Sequence, residues 1–299
     1  MVYKTLSDFL KSKYGTKVYK ISLTSGCTCP NRDGKVSKGG CTFCSEGGSG
    51  DFAAPFLPID EQITIAKGRV DSKFPSKTLE KERRYIAYFQ SFTNTYGDPN
   101  RLEKIYSEAI NRPEIVGISI GTRPDCIDEA IIDMLKKLNA QKDVWVELGL
   151  QTIHEKTAQH INRGYPLSTF QMAYEKLKEA GIAVIVHVIL GLPGESEEDM
   201  LETIRYLSAL SPTLDGIKLQ LLHILKGTKL AEEYKKNPFH IFSLEEYCQL
   251  VGKCLQILPK ETVIHRITGD GPKKLLIAPI WSADKKRVLN TLNKYLKQL

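Results

Sequence analysis

Nowhere in the sequence do apolar residues run uninterrupted for the roughly 18 positions that a membrane-spanning helix needs, so no membrane span is expected. The opening stretch, MVYKTLSDFLKSKYG, contains no apolar core of the kind a secretion signal requires. The cysteines are seven, an odd number, which argues against a disulfide framework and for a reducing compartment, the cytoplasm. No internal repeat, low-complexity tract or Pro/Gly-rich linker is present, so no separate second domain is expected. What is there suits one large α/β domain with a sizeable core: 299 residues, 41% hydrophobic and 26% charged. The charge is skewed to a net +7, with basic clusters at Lys81, Arg83 and Arg84, at Lys235 and Lys236, at Lys273 and Lys274, and at Lys285, Lys286 and Arg287. Such a surface permits a polyanionic partner and equally suits a solvated basic exterior.

Strand-like and helical segments alternate along the chain. Strands are expected at Val18 to Leu23, Arg84 to Phe92, Ile115 to Ile120, Val144 to Leu150, Ile182 to Leu190 and Ile217 to Leu222. Helices are expected from about Asp60 to Asp71, from Pro99 to Asn111, from Pro124-Asp125 with Asp125 and Asp128 at capping spacing, from about His154, from Leu167 to Ala180 with Gly181 as stop, and after Ser196. Six strands separated by helices imply a parallel sheet of βαβ units, compatible with a partial barrel, although periodicity leaves a doubly wound sheet open. The last 75 or so residues read as mainly helical, with Ser243 to Leu258 and Ala283 to Leu299 clearest, and VIHRITGDGP between them as a short strand ending in a turn.

Four cysteines, Cys27, Cys29, Cys41 and Cys44, fall in one Gly- and Lys-rich loop directly after the first of these strands. Core packing would scatter cysteines, so the cluster points to a metal site of soft thiolate ligands. All four could close a structural zinc site, though one CxC and one CxxC are not the usual pair of knuckles. Alternatively Cys29, Cys41 and Cys44 could hold a [4Fe–4S] cluster with the fourth iron open. The loop's place at the C-terminal end of a strand, the edge where parallel α/β folds collect their chemistry, favours the second.

The run CPNRDG followed by GGCTFC resembles the radical S-adenosylmethionine (SAM) superfamily, and its elongator-catalytic-subunit-like branch in particular. The resemblance continues through ISIGTRPD at 118–125, ELGLQ at 147–151, NRG at 162–164 and HVILGLPGESEED at 187–199, covering roughly residues 15–225. The spacing C-x11-C-x2-C departs from the superfamily's commonest CxxxCxxC, as is usual in this branch. The resemblance implies an α/β fold, a partial (β/α)6 TIM-like barrel over 1–225, with the mainly helical 226–299 packed on it as an extension rather than an independent domain. It implies a [4Fe–4S] cluster on Cys29, Cys41 and Cys44, with Cys27 not a ligand, and SAM as second cofactor, cleaved to a 5′-deoxyadenosyl radical that abstracts a substrate hydrogen. Gln90, Ser91 and Thr93, in QSFTNTY, would stand where the superfamily places its SAM amino-group motif. Thr122 and Arg123 follow the third strand, where the Arg could meet the SAM carboxylate, and Glu147 and Gln151 would bond the ribose hydroxyls. A solvent-facing loop and a buried structural Glu–Arg pair are the plainer alternatives. His187, inside an apolar strand, is a candidate catalytic residue or a satisfied core histidine, and Arg266 and Asp270 are candidates on the HRITGDGP segment. Cys126, Cys248 and Cys254, in predicted helices, read as core residues. His154 and His160, six apart, do not form a ligand pair.

The elongator branch modifies the wobble uridine of transfer RNA (tRNA). These 299 residues contain no acetyltransferase domain, so the complete elongator reaction is not expected. The chain resembles instead the small stand-alone bacterial members, which implies conversion of carboxymethylaminomethyluridine to aminomethyluridine. The partners would be tRNA, a reductant such as flavodoxin or ferredoxin, and a downstream tRNA methyltransferase. A radical SAM enzyme acting on a peptide or small metabolite is the enzymatic alternative, and a non-catalytic iron–sulfur or zinc RNA-binding protein the other.

Overall fold

A computed structural model describes residues 3–48, 50–269 and 271–298. The chain opens with a two-residue strand β1 (Lys4–Thr5) and helix α1 (Leu6–Tyr14), then β2 (Val18–Leu23) and a single turn α2 (Pro30–Asp33) inside the cysteine loop. It continues α3 (Ile59–Gly68), β3 (Arg84–Phe89), α4 (Pro99–Ile110), β4 (Ile115–Thr122), α5 (Glu129–Asn139), β5 (Asp143–Gln151), α6 (Glu155–His160), α7 (Leu167–Glu179), β6 (Ala183–Leu190), α8 (Glu197–Ser208) and β7 (Gly216–Leu221). The remainder is β8 (Ile224–Leu225), α9 (Lys229–Lys236), α10 (Leu244–Ile257), β9 (Val263–Arg266), β10 (Leu276–Ala278) and α11 (Lys285–Leu296). Among the described residues no helix is long and apolar enough to cross a membrane.

The main sheet has eight strands in the order β1-β9-β7-β6-β5-β4-β3-β2, parallel throughout, and curls into an open half-barrel. The six expected strands lie side by side in chain order. Two short ones extend the β7 edge: β9, which is the VIHR of the expected terminal strand, and β1, whose two residues carried no periodic signal. β8 and β10 form a separate antiparallel pair. Residues 226–299 therefore supply one strand of the main sheet as well as helices, and α10 packs on α8.

Local chemistry sets the helix starts. Asp98 accepts from the Asn100 and Arg101 amides ahead of Pro99, and Ser196 and Ser243 form capping boxes with Asp199 and Glu246. Around Pro124 the expected helix start is corrected: residues 124–126 make one 3₁₀ turn, and Asp128, accepting from the Ile131 amide, caps α5. Asp125 is not a cap because it pairs with Arg123.

The principal core lies between the outer sheet face and the helices, where residues such as Phe89, Ile120, Val146 and Leu190 meet Leu102, Leu135, Phe170 and Ile204. A smaller cluster closes the N-terminal end of the half-barrel, Leu10 of α1 meeting Val18, Ile86, Trp145 and Ile185. The barrel interior is thus dry at its base and can be polar only above that plug.

Candidate active site

Side chains alternate across a strand, so residues two apart share the inner face. Reading inward positions around the half-barrel gives Lys20 on β2, Tyr88 on β3, Ser119 on β4, Glu147 on β5, His187 on β6 and Lys218 on β7. They form one layer directly above the apolar plug. Glu147 is 1% exposed and sits at its centre. One carboxylate oxygen accepts from Lys20 Nζ at 2.5 Å and Ser119 Oγ at 2.7 Å. The other accepts from His187 Nε2 at 2.6 Å and from Lys218 Nζ. Lys218 Nζ also lies 3.1 Å from the Tyr88 hydroxyl and 4.4 Å from that ring's centroid.

The electrostatics follow from burial and charge. Burial works to raise the Glu147 carboxyl, but Lys20, Lys218 and His187 together hold it well below the usual carboxylate range. Burial, with Lys20 and Arg266 nearby, pushes Lys218 down to about 7 against the pull of Glu147. Burial and Lys218 push His187 down to about 4, so its ring is neutral near pH 7 and gives Nε2–H to the carboxylate. The ribose role expected for Glu147 does not fit this geometry, since four side chains already occupy both oxygens. Lys20, Tyr88, Ser119 and Lys218 were missed from the sequence.

Above this layer opens a cavity at the C-terminal ends of the strands, with Tyr88, Glu147, His187, Lys218 and Arg266 in its wall. Cys29, Cys41 and Cys44 line it from the other side and, among the described residues, are the cysteines that do. Hydrogen bonding to Cys44, burial and the nearby charges of Cys44 and Cys29 push the Cys41 thiol well up, so the three sulfurs lie within electrostatic reach of one another. All are free thiols. A convergent set of three soft donors on one wall fits an iron–sulfur cluster with one iron left for another ligand. Cys27 is buried in the main core, where its sulfur accepts from Arg101 Nη2 at 3.2 Å. Cys248 and Cys254 are buried on α10, whereas Cys126 is not a core residue: it sits half-buried on the 3₁₀ turn beside Asp125.

The loop is held by the NRG segment. Asn31 Nδ2 donates to the Asn162 carbonyl at 2.5 Å, and Asn162 Nδ2 donates to the Gly40 carbonyl at 2.8 Å. Gly164 has φ +81°, and a Cβ there would stand 2.8 Å from Val36 and 2.9 Å from Asn31 Oδ1, so glycine is required. Arg163, 1% exposed, donates to the carbonyls of Leu150, Thr152 and Tyr165 at 3.1, 2.6 and 3.0 Å. Arg163→Ala would strip three buried acceptors of a charged donor. Each lost partner costs about 1–3 kcal/mol, so a fall of several kcal/mol in unfolding free energy by denaturant titration is expected, with Arg163→Lys intermediate.

Gln90, Thr93, Thr122, Arg123 and Gln151 also line the cavity. Gln90 Oε1 accepts from Ser22 at 3.1 Å, Thr122 Oγ1 lies 2.6 Å from Thr95 Oγ1, and Gln151, at φ +65°, accepts from Tyr165 at 3.4 Å. Ser91 is not in the wall; it packs on Gly50, where a Cβ would collide with its hydroxyl. Arg123 does not offer the fork expected for a SAM carboxylate. Its Nε and Nη2 bind Asp125 at 2.9 and 2.7 Å, and Nη1 binds the Arg163 carbonyl. Asp270 lies outside the described residues.

A parallel half-barrel with three convergent thiols at its C-terminal edge is the architecture of a cluster-dependent enzyme. Residues 26–207 match the family described as the Radical SAM superfamily and residues 214–298 the Radical_SAM C-terminal domain; the chain belongs to this superfamily. It is a radical SAM enzyme of the elongator-like branch, with a [4Fe–4S] cluster and SAM as cofactors and a need for a reductant. Among its relatives, the uncharacterized protein YtqA of Bacillus subtilis is 44% identical over 298 residues, covering 99% of this chain and 89% of that protein. Elongator complex protein 3 of Drosophila melanogaster is 30% identical over 173 residues, 57% of this chain and 30% of that one. Among solved structures, archaeal Elp3 of Methanocaldococcus infernus superposes with a TM-score of 0.70 at 19% identity, over 94% of this chain and 63% of that chain.

Proposed function

We propose that this protein modifies the wobble uridine of tRNA, converting carboxymethylaminomethyluridine to aminomethyluridine; the carboxymethyl group would leave as glyoxylate, with water supplying its aldehyde oxygen and SAM, spent as methionine and 5′-deoxyadenosine, taking up the two electrons. The observation that carries the reading is the shared cavity: three thiols on one side face an ionic floor on the other, leaving room for a substrate between them. In this reading Cys29, Cys41 and Cys44 hold the cluster. Gln90, Thr93, Thr122 and Gln151 supply polar groups toward SAM, and His187 and Arg266 face the substrate. Bound there, the cluster supplies the electron that cleaves SAM and so makes hydrogen abstraction possible. The protein's own residues orient the reactants: the plug under Glu147 is apolar, and four donors fix the carboxylate.

The likeness to the elongator branch and the net charge of +7 support an RNA substrate. A flavodoxin- or ferredoxin-type reductant and a downstream tRNA methyltransferase complete the reading, which places the protein in the cytoplasm. Digestion of bulk tRNA from a deletion strain should show carboxymethylaminomethyluridine accumulating and aminomethyluridine with its methylated product depleted. An unchanged nucleoside profile would sink the tRNA assignment and direct the search to a peptide or small-metabolite substrate.

A further inference from the structure

The three cavity cysteines surround a charged side chain that the proposed reaction leaves without a part. Arg32 lies on α2, just after Cys29, and its guanidinium crosses the loop to the turn that carries Cys44. Nη1 donates to the Glu46 carbonyl at 3.3 Å, and Nη2 to the Cys44 carbonyl at 3.4 Å and to that of Ser45. On its other side the chain packs on Gly40, next to Cys41, where a Cβ would stand 2.9 Å from Arg32 Nε. Arg32 is half-buried and lines the cavity together with the thiols. Among the described residues it enters no ion pair; its acceptors are neutral carbonyls. Two further charges lie beside the thiols. Arg123 is matched by Asp125 at 2.7 Å, and Asp51 accepts from Ser45 Oγ at 2.9 Å.

A residue in an unfavourable backbone conformation holds this guanidinium in place. Phe92 has φ +59°, a region that bulky side chains rarely enter and that marks a position fixed by its surroundings. Its ring meets Arg32, whose guanidinium carbon lies 5.4 Å from the ring centroid. Gly48 makes room for the ring, since a Cβ there would stand 2.3 Å from it. The Phe92 amide donates to the Gly48 carbonyl at 2.9 Å, and the Thr93 amide to the Thr28 carbonyl at 3.2 Å. The segment is thereby tied to the cysteine loop on both sides, after Cys44 and before Cys29.

We propose that Arg32 is the counter-charge that eases one-electron reduction of the cluster, and that Phe92 is the residue that positions it. Three thiolates make the site electron-rich, and the electron from the reductant adds one more negative charge while no bond forms or breaks. Net charge around a cluster is one of the levers on its reduction potential. A guanidinium suits the task because it stays charged at any working pH and stacks on an aromatic ring. A side chain that only pinned the Cys44 turn would not need the charge, since a neutral donor also bonds carbonyls. The inference goes beyond the wobble-uridine reading and holds for any substrate. It rests on Cys29, Cys41 and Cys44 as the cluster ligands.

The test is a redox titration of the reconstituted holoenzyme without SAM, with the reduced cluster read by electron paramagnetic resonance at each poised potential. Arg32→Gln keeps a donor for the carbonyls and removes the charge. At a given poise its ratio of reduced to oxidised cluster is expected to fall about tenfold, a midpoint shift of about 59 mV to more negative potential for one electron. Arg32→Lys keeps the charge and should stay near the wild-type midpoint. Phe92→Leu keeps Arg32 and every ligand but frees the guanidinium, and should shift the midpoint the same way by less. A wild-type midpoint in Arg32→Gln would overturn the proposal. Equal shifts in Arg32→Gln and Arg32→Lys would also overturn it, since the side chain would then act by shape and not by charge. Weaker SAM binding by Arg32→Gln at an unchanged midpoint would overturn it too and assign the guanidinium to the SAM carboxylate. If Arg32→Gln does not retain the cluster, Phe92→Leu decides: a negative shift supports the proposal and an unchanged midpoint overturns it. Retention of the cluster by Cys44→Ala would instead discard the ligand assignment.

Discussion

Substituting Cys29, Cys41 or Cys44 by alanine is expected to leave the anaerobically reconstituted protein colourless, with bound iron and sulfide at background and no 5′-deoxyadenosine formed on reduction with SAM. Cys27→Ala should remain brown and active. The contrast rests on where the four sulfurs lie. Cys29, Cys41 and Cys44 share one cavity wall, whereas the Cys27 sulfur is turned into the main core against Arg101. A three-thiolate site has no spare ligand, so removing one leaves two irons of a cubane without protein ligands where the intact protein leaves one. Iron and sulfide analysis after desalting reads the result directly. Loss of the cluster in Cys27→Ala, or its retention in Cys41→Ala, would overturn the ligand assignment.

Glu147→Ala is expected to be the most damaging single substitution outside the cysteine loop. It removes the only carboxylate bonded to Lys20 and Lys218 among the described residues and leaves the buried Lys218 and the half-buried Lys20 without an acidic partner. Breaking a buried ion pair from one side costs about 3–5 kcal/mol, here partly relieved when a lysine gives up its proton. Its pH dependence has a definite sign. The Glu147 carboxyl is held below its ordinary value, so its contribution is fully present above the unfolded value of about 4.5 and is lost as pH falls through the folded value. The stability gap between wild type and variant, from urea titrations across pH, should therefore be full near pH 7 and narrow only below about 4.5. A gap that is absent at pH 7 would mean that the layer does not need its central charge.

The strands could be read from the chain because each is a continuous apolar run, which a parallel strand buried on both faces requires. The signal for the ionic layer was also present. Lys20 in VYKISL, Glu147 in VWVELGL, His187 in AVIVHVIL and Lys218 in GIKLQL each interrupt such a run with one ionisable residue. Glu147 and His187 fall within the segments ELGLQ and HVILGLPGESEED that resemble the family, whereas Lys20 and Lys218 lie in no such segment. An unpaired charge in a buried strand is prohibitively costly, so four such exceptions in one sheet imply that they meet. Which oxygen receives which donor depends on register: His187 stands opposite Lys218 between β6 and β7, and Glu147 opposite Gly121 between β4 and β5. Register is set by sheet pairing and is not written in any one segment.

By itself, then, the sequence determined the alternation of strand and helix, the parallel sheet and the thiol loop at its edge, because these depend on local periodicity and on cysteines close together in the chain. The tertiary structure alone decided which sulfurs face the cavity, that Arg123 spends its fork on Asp125, and that Glu147 serves two lysines. Those outcomes depend on side chains distant in sequence, some more than a hundred residues apart, competing for the same partner in a space too dry for any of them to go without.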